Sequence, residues 1–253
     1  MKNILLATDL AAETDRTFER AIKLSSLLAA KLHILHVCPY KFSRMTSLQQ
    51  DAADTIKKYL ADYQEAKNLR HSITVVEGGE AFIEIINHAE KVKAGLIVMG
   101  MHGKAKLRDM FVGTTVERVI RKGIKPVLMV KDKPLGDYKN VLVGTDFSAG
   151  SRRAFHLALG LAPKSFFHLV HSYDIPDTYI GDKITQYAGD VVATSESDKL
   201  EKFVKENKAV LKKFGVESQN FHFRTARGPQ HIYRRDNGHD QHHHNARRYK
   251  SHK

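Results

Sequence analysis

The sequence predicts an α/β protein: a doubly wound, parallel five-stranded sheet in the first 133 residues, then an incomplete second copy of that unit. Three observations carry this expectation. Short apolar runs alternate with longer amphipathic ones in the first half. The opening segment returns about 137 residues later, too long a period for a solenoid repeat. The second pass loses its apolar pattern before the alternation is complete.

In the first copy the runs Ile4–Ala7, Leu32–Cys38, Ile73–Val76, Leu96–Met99 and Val127–Val130 are largely apolar at consecutive positions. Strands covered on both faces read this way, and parallel sheets are so covered. Between them, Phe18, Ala21, Ile22, Leu28 and Ala29 recur at helical spacing. So do Ile56, Tyr59, Leu60 and Tyr63, and Phe82, Ile85, Ile86 and Ala89. Strand–helix alternation implies right-handed crossovers and helices on both faces. Ligands of such sheets bind at the carboxyl ends of strands, near the point where strand order reverses. Those ends are Thr8-Asp9, Val37-Cys38, Glu77-Gly78-Gly79 and Met99-Gly100.

The repeat aligns Lys2–Leu10 with Lys139–Phe147, Phe18 with Phe155, and Leu32–His36 with Phe167–His171. A linker over 134–138, with Pro134 and Gly136, separates the copies. The second copy covers 139–232. After Ile232 no strand-like run and no second glycine pattern follow, so its third helix, fourth strand, phosphate loop and fifth strand are missing. Residues 233–253 hold six Lys/Arg, two Asp, five of the 15 His and no Leu, Ile, Val, Phe or Met. Such a basic, His-rich tail cannot build a core and is expected to be disordered. Its abrupt composition is that of out-of-frame coding sequence. His239, Asp240, His242, His243 and His244 would bind metal only adventitiously, because nothing preorganises them.

Composition narrows the classes further. The chain has 41 Lys+Arg against 28 Asp+Glu, a formal charge of +13; the tail carries +4, leaving +9 on the rest. No basic patch is interleaved with aromatics, so specific nucleic-acid binding is not expected. A single cysteine, Cys38, excludes an internal disulfide and suits a reducing cytoplasm. The early apolar run stops at Asp9, short of a secretory segment, and no run is long enough to span a bilayer. His33/His36 and His168/His171 sit three apart on strands, which turns each pair to opposite faces and spoils joint metal ligation. The Lys/Glu run from Lys199 to Lys213 reads as a solvated helix face.

One segment carries chemistry: Gly100-Met101-His102-Gly103, nine residues, then Gly113-Thr114-Thr115-Val116-Glu117. Glycines after a strand let the backbone approach a bound group. Thr114 and Glu117 fit a capping box, which puts unpaired N–H groups and the positive helix end there. Together these make a phosphate cradle. Lys104, Lys106 and Arg108 fall within the intervening loop, where they either close over a phosphate or stay solvated, and His102 is equally open. The spacing fits neither a Walker A loop nor the dinucleotide fingerprint.

G-x2-G-x9-G-[S/T], behind a strand ending in Thr-Asp, resembles the nucleotide-binding branch of the universal stress protein family, fully over 1–131 and partly over 139–232. The resemblance implies an adenine nucleotide hydrolase-like fold and an ATP site, with Mg²⁺ as an optional companion. It implies Ala7, Asp9 and Val37 around adenine and ribose, with Met99 and Gly100 extending that wall. Gly103, Gly113, Thr114 and Thr115 would hold the phosphates. It also implies a homodimer, since the fifth strand of this family pairs across a two-fold interface and Val127–Val130 has no counterpart in the second copy. With no general base or nucleophile in evidence, a regulatory stress-response binding protein is favoured over an enzyme. The alternatives are a slow ATPase or autophosphorylating protein, with Thr114 or Thr115 as acceptor, and a nucleotide-free scaffold.

Overall fold

Asn3–Thr8 forms the first strand, β1, whose Ile4, Leu5 and Leu6 are wholly buried. Around it the computed structural model places α1 (Thr14–Leu27), β2 (Lys31–Cys38), α2 (Met45–Ala61), a 3-10 turn at Gln64–Asn68 and β3 (His71–Glu77). There follow α3 (Ala81–Lys91), β4 (Leu96–Gly100), α4 (Thr115–Lys122) and β5 (Val127–Val130). The structure describes residues 1–11, 14–38, 45–101, 114–123, 125–173, 183–216 and 221–227. They divide into two units, Met1–Asp137 and Tyr138–Lys253.

The first unit is the expected parallel five-stranded sheet, in the order β3-β2-β1-β4-β5. Leu5 pairs with His33 on one side and Ile97 on the other; Ala7 pairs with Leu35 and Met99. The chain builds outward from β1 to β2 and β3, then returns to lay β4 against the other edge of β1. Strand order therefore reverses between β1 and β4. One face buries Leu5, Ala7, Leu35, Ile97 and Met99 against Phe82, Ile85 and Ala89 of α3 and Val119 of α4. Phe18 of α1 is buried and stacks on Tyr59 of α2, ring centroids 5.1 Å apart. Each wholly buried Leu, Ile or Phe contributes about 1.5–3 kcal/mol by removal from water, which is why the strand runs are largely apolar.

Helical spacing overshoots at two ends. Leu28 and Ala29 lie past α1, because Ala29 takes φ 48° while the Ala30 N–H bonds Ser25 O at 2.9 Å, closing the helix. Tyr63 lies past α2, at the start of the 3-10 turn, where its hydroxyl donates to Asp15 O at 3.1 Å.

The second unit comprises β6 (Asn140–Gly144), α5 (Ala149–Leu161), β7 (Phe166–Tyr173), α6 (Lys183–Glu206), α7 (Lys208–Lys213) and β8 (Phe221–Arg227). Its described strands form a parallel sheet in the order β6-β7-β8. Val143, Phe155, Leu159, Phe167, Leu169, Leu200, Phe203 and Leu211 share its core. The Lys/Glu run is thus amphipathic: its lysines face out while Leu200, Phe203 and Leu211 point in. Residues 228–253, with Gly228, Pro229 and the His-rich tail, lie outside the described residues.

Repeated sequence produces repeated geometry. Thr8 Oγ1 accepts from Leu10 N–H, and Thr145 Oγ1 from Phe147 N–H. The residues after the two aspartates, Leu10 and Phe147, have φ 58° and 63°. His36 Nδ1 donates to Thr8 O at 2.9 Å, as His171 Nδ1 does to Thr145 O at 2.7 Å. His33 points to the opposite face, where Ser72 Oγ donates to its Nδ1 and its Nε2 donates to Asn3 Oδ1.

Burial, with Lys31 and His88 nearby, lowers the pKa of His33; burial, with Lys91, lowers that of His88. Both imidazoles are held neutral in the fold while the unfolded chain protonates near pH 6.5. The unfolded state then binds more protons, so stability falls as pH drops through about 6.5 toward the lower folded values. Hydrogen exchange of β2 amides should show opening free energies that are flat from about pH 7.5 to 8 and decline below about pH 6.5. His33→Gln should flatten part of that decline, and an unchanged slope would refute this origin.

Candidate functional site

Where strand order reverses, the ends of β1 and β4 part and leave a cleft. Ala7, Thr8 and Asp9 line it from the first strand, Leu35 and Val37 from β2, and Met99 and Gly100 from β4. Thr17 of α1, Ala81 and Ile85 of α3, and Thr115 and Val116 of α4 complete the wall. The cleft holds about 140 Å³, close to the roughly 150 Å³ cavity known to admit a benzene ring. The cleft as a whole is therefore large enough for a small planar ring.

Each wall has a local cause. Gly78 and Gly79 take φ 72° and 78°, which turns the chain from β3 straight into α3 and sets Ala81 over the cleft. A Cβ on Gly79 would also lie 2.9 Å from Glu84 Oε1. On the other side Thr114 is the N-cap of α4, its Oγ1 accepting from Glu117 N–H at 3.1 Å. The expected cap is thus made, and the first turn of α4 opens onto the cleft through Thr115 and Val116. Helix starts leave N–H groups free and carry partial positive charge. Arg16 Nη2 donates to Met101 O at 3.1 Å, fastening the chain just past β4.

The lining is mixed: Leu35, Val37, Ile85, Met99 and Val116 supply apolar surface, and Thr8, Asp9, Thr17 and Thr115 supply polar groups. Asp9 Oδ1 accepts from Ala11 N–H at 3.1 Å, which fixes the carboxylate at the rim. No group of three or more His, Cys, Asp or Glu side chains suited to a metal occurs among the described residues. Cys38 is buried, and burial with the Glu77 charge raises its thiol pKa, so it is not activated as a nucleophile.

The structure brings together Ala7, Asp9, Val37, Met99, Gly100 and Thr115 around one cavity, with Thr114 capping the helix that bounds it. Gly103 and Gly113 lie outside the described residues, with His102, Lys104, Lys106 and Arg108. Sequence reading missed Leu35, Thr17, Ala81, Ile85 and Val116 as lining residues. The available signal was Ala81 and Ile85, one helical turn apart immediately after the paired glycines.

Comparison with known proteins agrees with this architecture. A family model described as "Universal stress protein family" matches residues 1–131. A universal stress protein of Methanocaldococcus jannaschii, MJ0577, is 27% identical over 157 residues, covering 52% of this chain and 96% of the relative. A second from that organism, MJ0531, is 29% identical over 140 residues, covering 51% and 82%. The crystal structure of a universal stress protein from Archaeoglobus fulgidus superposes with a TM-score of 0.59 at 22% identity, covering 91% of this chain and 80% of that one. No helix among the described residues is long and apolar enough to cross a membrane. The family match spans more than half of the chain and coincides with the five-stranded unit, and on that ground the chain belongs to the universal stress protein family.

Proposed function

We propose that the first unit binds an adenine nucleotide, ATP in the first instance, and that its occupancy regulates what the protein contacts during a stress response. The observation that carries this reading is the cleft at the β1/β4 reversal. Its apolar lining suits a base, and its Asp9 carboxylate offers ribose hydroxyls an acceptor. The start of a Thr-capped helix stands where phosphates need donors. Ala7, Val37, Met99 and Gly100 would enclose the base and ribose; Gly103, Gly113, Thr114 and Thr115 would hold the phosphates. A Mg²⁺ would rest on the phosphates, waters and at most Asp9, in keeping with its preference for few protein ligands. The chain would work in the cytoplasm as a tandem pair whose first copy, residues 1–133, is complete and whose second, 139–232, is partial.

The same reading includes a homodimer through β5. That strand lies at the edge of its sheet, and three of its four residues are only half-buried. Ile97 N–H bonds Pro126 O and Met101 N–H bonds Val130 O. Alternation along the strand then turns the backbone of Val127 and Met129 away from β4, toward a partner strand.

Two measurements test this. Purified protein, denatured and examined by mass spectrometry, should release an adenine nucleotide. Calorimetry on stripped protein should show ATP binding that weakens about tenfold or more in Asp9→Asn, the loss of roughly one charge-assisted hydrogen bond. Ala81→Leu, which fills the cleft, should abolish it; unchanged binding in both variants would refute the site. For the dimer, the Val127 and Met129 amides should exchange slowly in concentrated protein and quickly on dilution. Fast exchange at every concentration would refute the β5 contact.

A further inference from the structure

We propose that the outer edge of β6 is a second self-association surface, pairing antiparallel with the same strand of another copy. The inference stands apart from the nucleotide reading and from the β5 contact.

β6 repeats the sequence of β1 but not its surroundings. Leu5 is wholly buried between two strands and beneath α3, whereas Leu142, its counterpart in the repeat, is 73% exposed. Among the described residues only β7 pairs with β6. Phe166 N–H bonds Lys139 O and Thr145 N–H bonds Val170 O. By alternation residues 139, 141, 143 and 145 turn toward β7, while Asn140, Leu142 and Gly144 present N–H and C=O groups outward. In the first unit the matching Asn3 accepts from Gly95 N–H, at the start of β4.

One face of this sheet also stays open. Val143, Phe167, Leu169 and His171 are buried under α5 and α6, while Leu142 is exposed and Phe166, His168 and Val170 are half-buried. The edge is therefore a strand of central-strand composition, Asn-Val-Leu-Val-Gly, with none of the Lys, Pro or inward charge that normally protects an edge.

The chemistry at its ends selects the occupant. Lys139 precedes the strand and Asp146 follows it. An antiparallel copy sets the Lys139 end of each strand beside the Asp146 end of the other, whereas a parallel copy stacks like charges. Asp146 stays ionised, its pKa lowered by hydrogen bonds from the Ser148 and Ser151 side chains. Outward groups must face outward groups, so the register centres on Leu142, with Asn140 opposite Gly144 of the other copy. Leu142 then meets its own symmetry mate and both leave water. Two distinct two-fold contacts on one chain, at β5 and β6, build open-ended assemblies rather than a closed dimer.

Cysteine cross-linking on the full chain tests the register. In a Cys38→Ser background, Leu142→Cys places two sulfurs across a hydrogen-bonded pair, whose Cα atoms lie about 5.5 Å apart, within disulfide reach. Asn140→Cys, on the same edge, lies about 14 Å from its own copy, four residues of strand away. With oxidised glutathione, Leu142→Cys should form covalent dimer at least tenfold faster than Asn140→Cys. Equal rates would overturn the proposal, and so would Asn140→Cys linking faster, the mark of a parallel or shifted pairing. Hydrogen exchange on the unsubstituted chain gives a second reading: the Leu142 and Gly144 amides should gain protection with concentration. Failure here, with Val127 and Met129 still protected, would remove the β6 contact and leave β5 standing.

Discussion

The first unit depends on a single constraint: β1 must be enclosed on four sides. It needs a strand on each edge and helices on each face, because Ile4, Leu5 and Leu6 give it no surface that tolerates water. Only an element order that returns to β1 from the other side satisfies this, and the return places β4 beside it. The cleft is a by-product. Strands on either side of the reversal send their connections to opposite faces, which leaves space above Ala7 and Met99 among the described residues. Ala7 is itself small, and its neighbour Thr8 is held by the His36 hydrogen bond to its carbonyl oxygen. Burial thus comes first, and the geometry of the cleft follows from it.

The second unit shows what the same strand does with half of that enclosure. Its core is closed on one face by Phe155, Leu159, Leu200 and Phe203, and there burial matches the first unit. On the other face the pattern changes from continuous burial to alternation, although the sequence of β6 is still that of a two-sided strand. Local sequence fixes the strand and the turn, while tertiary partners decide whether an apolar residue is an asset. Burying a leucine contributes about 1.5–3 kcal/mol, so an exposed Leu142 leaves a comparable driving force unused.

Much of this was legible because the signal was long and redundant. All five strands of the first unit were found within two residues of their observed limits, since strands of a parallel sheet are largely apolar at consecutive positions. Thr114 was readable as a cap because capping is a contact within one helical turn. Helix ends were less legible: Leu28 and Ala29 continue the apolar spacing of α1, and only the left-handed conformation of Ala29 stops it. The cleft was half legible. Residues at strand ends could be named from topology, but Thr17, Ile85 and Val116 face it from helices, and sequence spacing does not say which helix covers which strand end.

The two Thr-Asp turns separate what makes a site from what accompanies one. Both have the threonine-to-backbone bond, a following residue at positive φ, and a histidine on the threonine carbonyl oxygen. Yet at Thr145 the aspartate is turned to its own helix start, where Ser148 and Ser151 satisfy it, and no described strand stands opposite. At Thr8 the opposing wall exists: Met99 and Gly100 on β4, and the first turn of α4. The turn alone therefore does not make a cleft. It presents a carboxylate at a strand end, and a strand and helix from the far side of the reversal convert that presentation into an enclosure. Residues on that far wall should accordingly govern ligand choice, because they are what the two otherwise matching turns do not share.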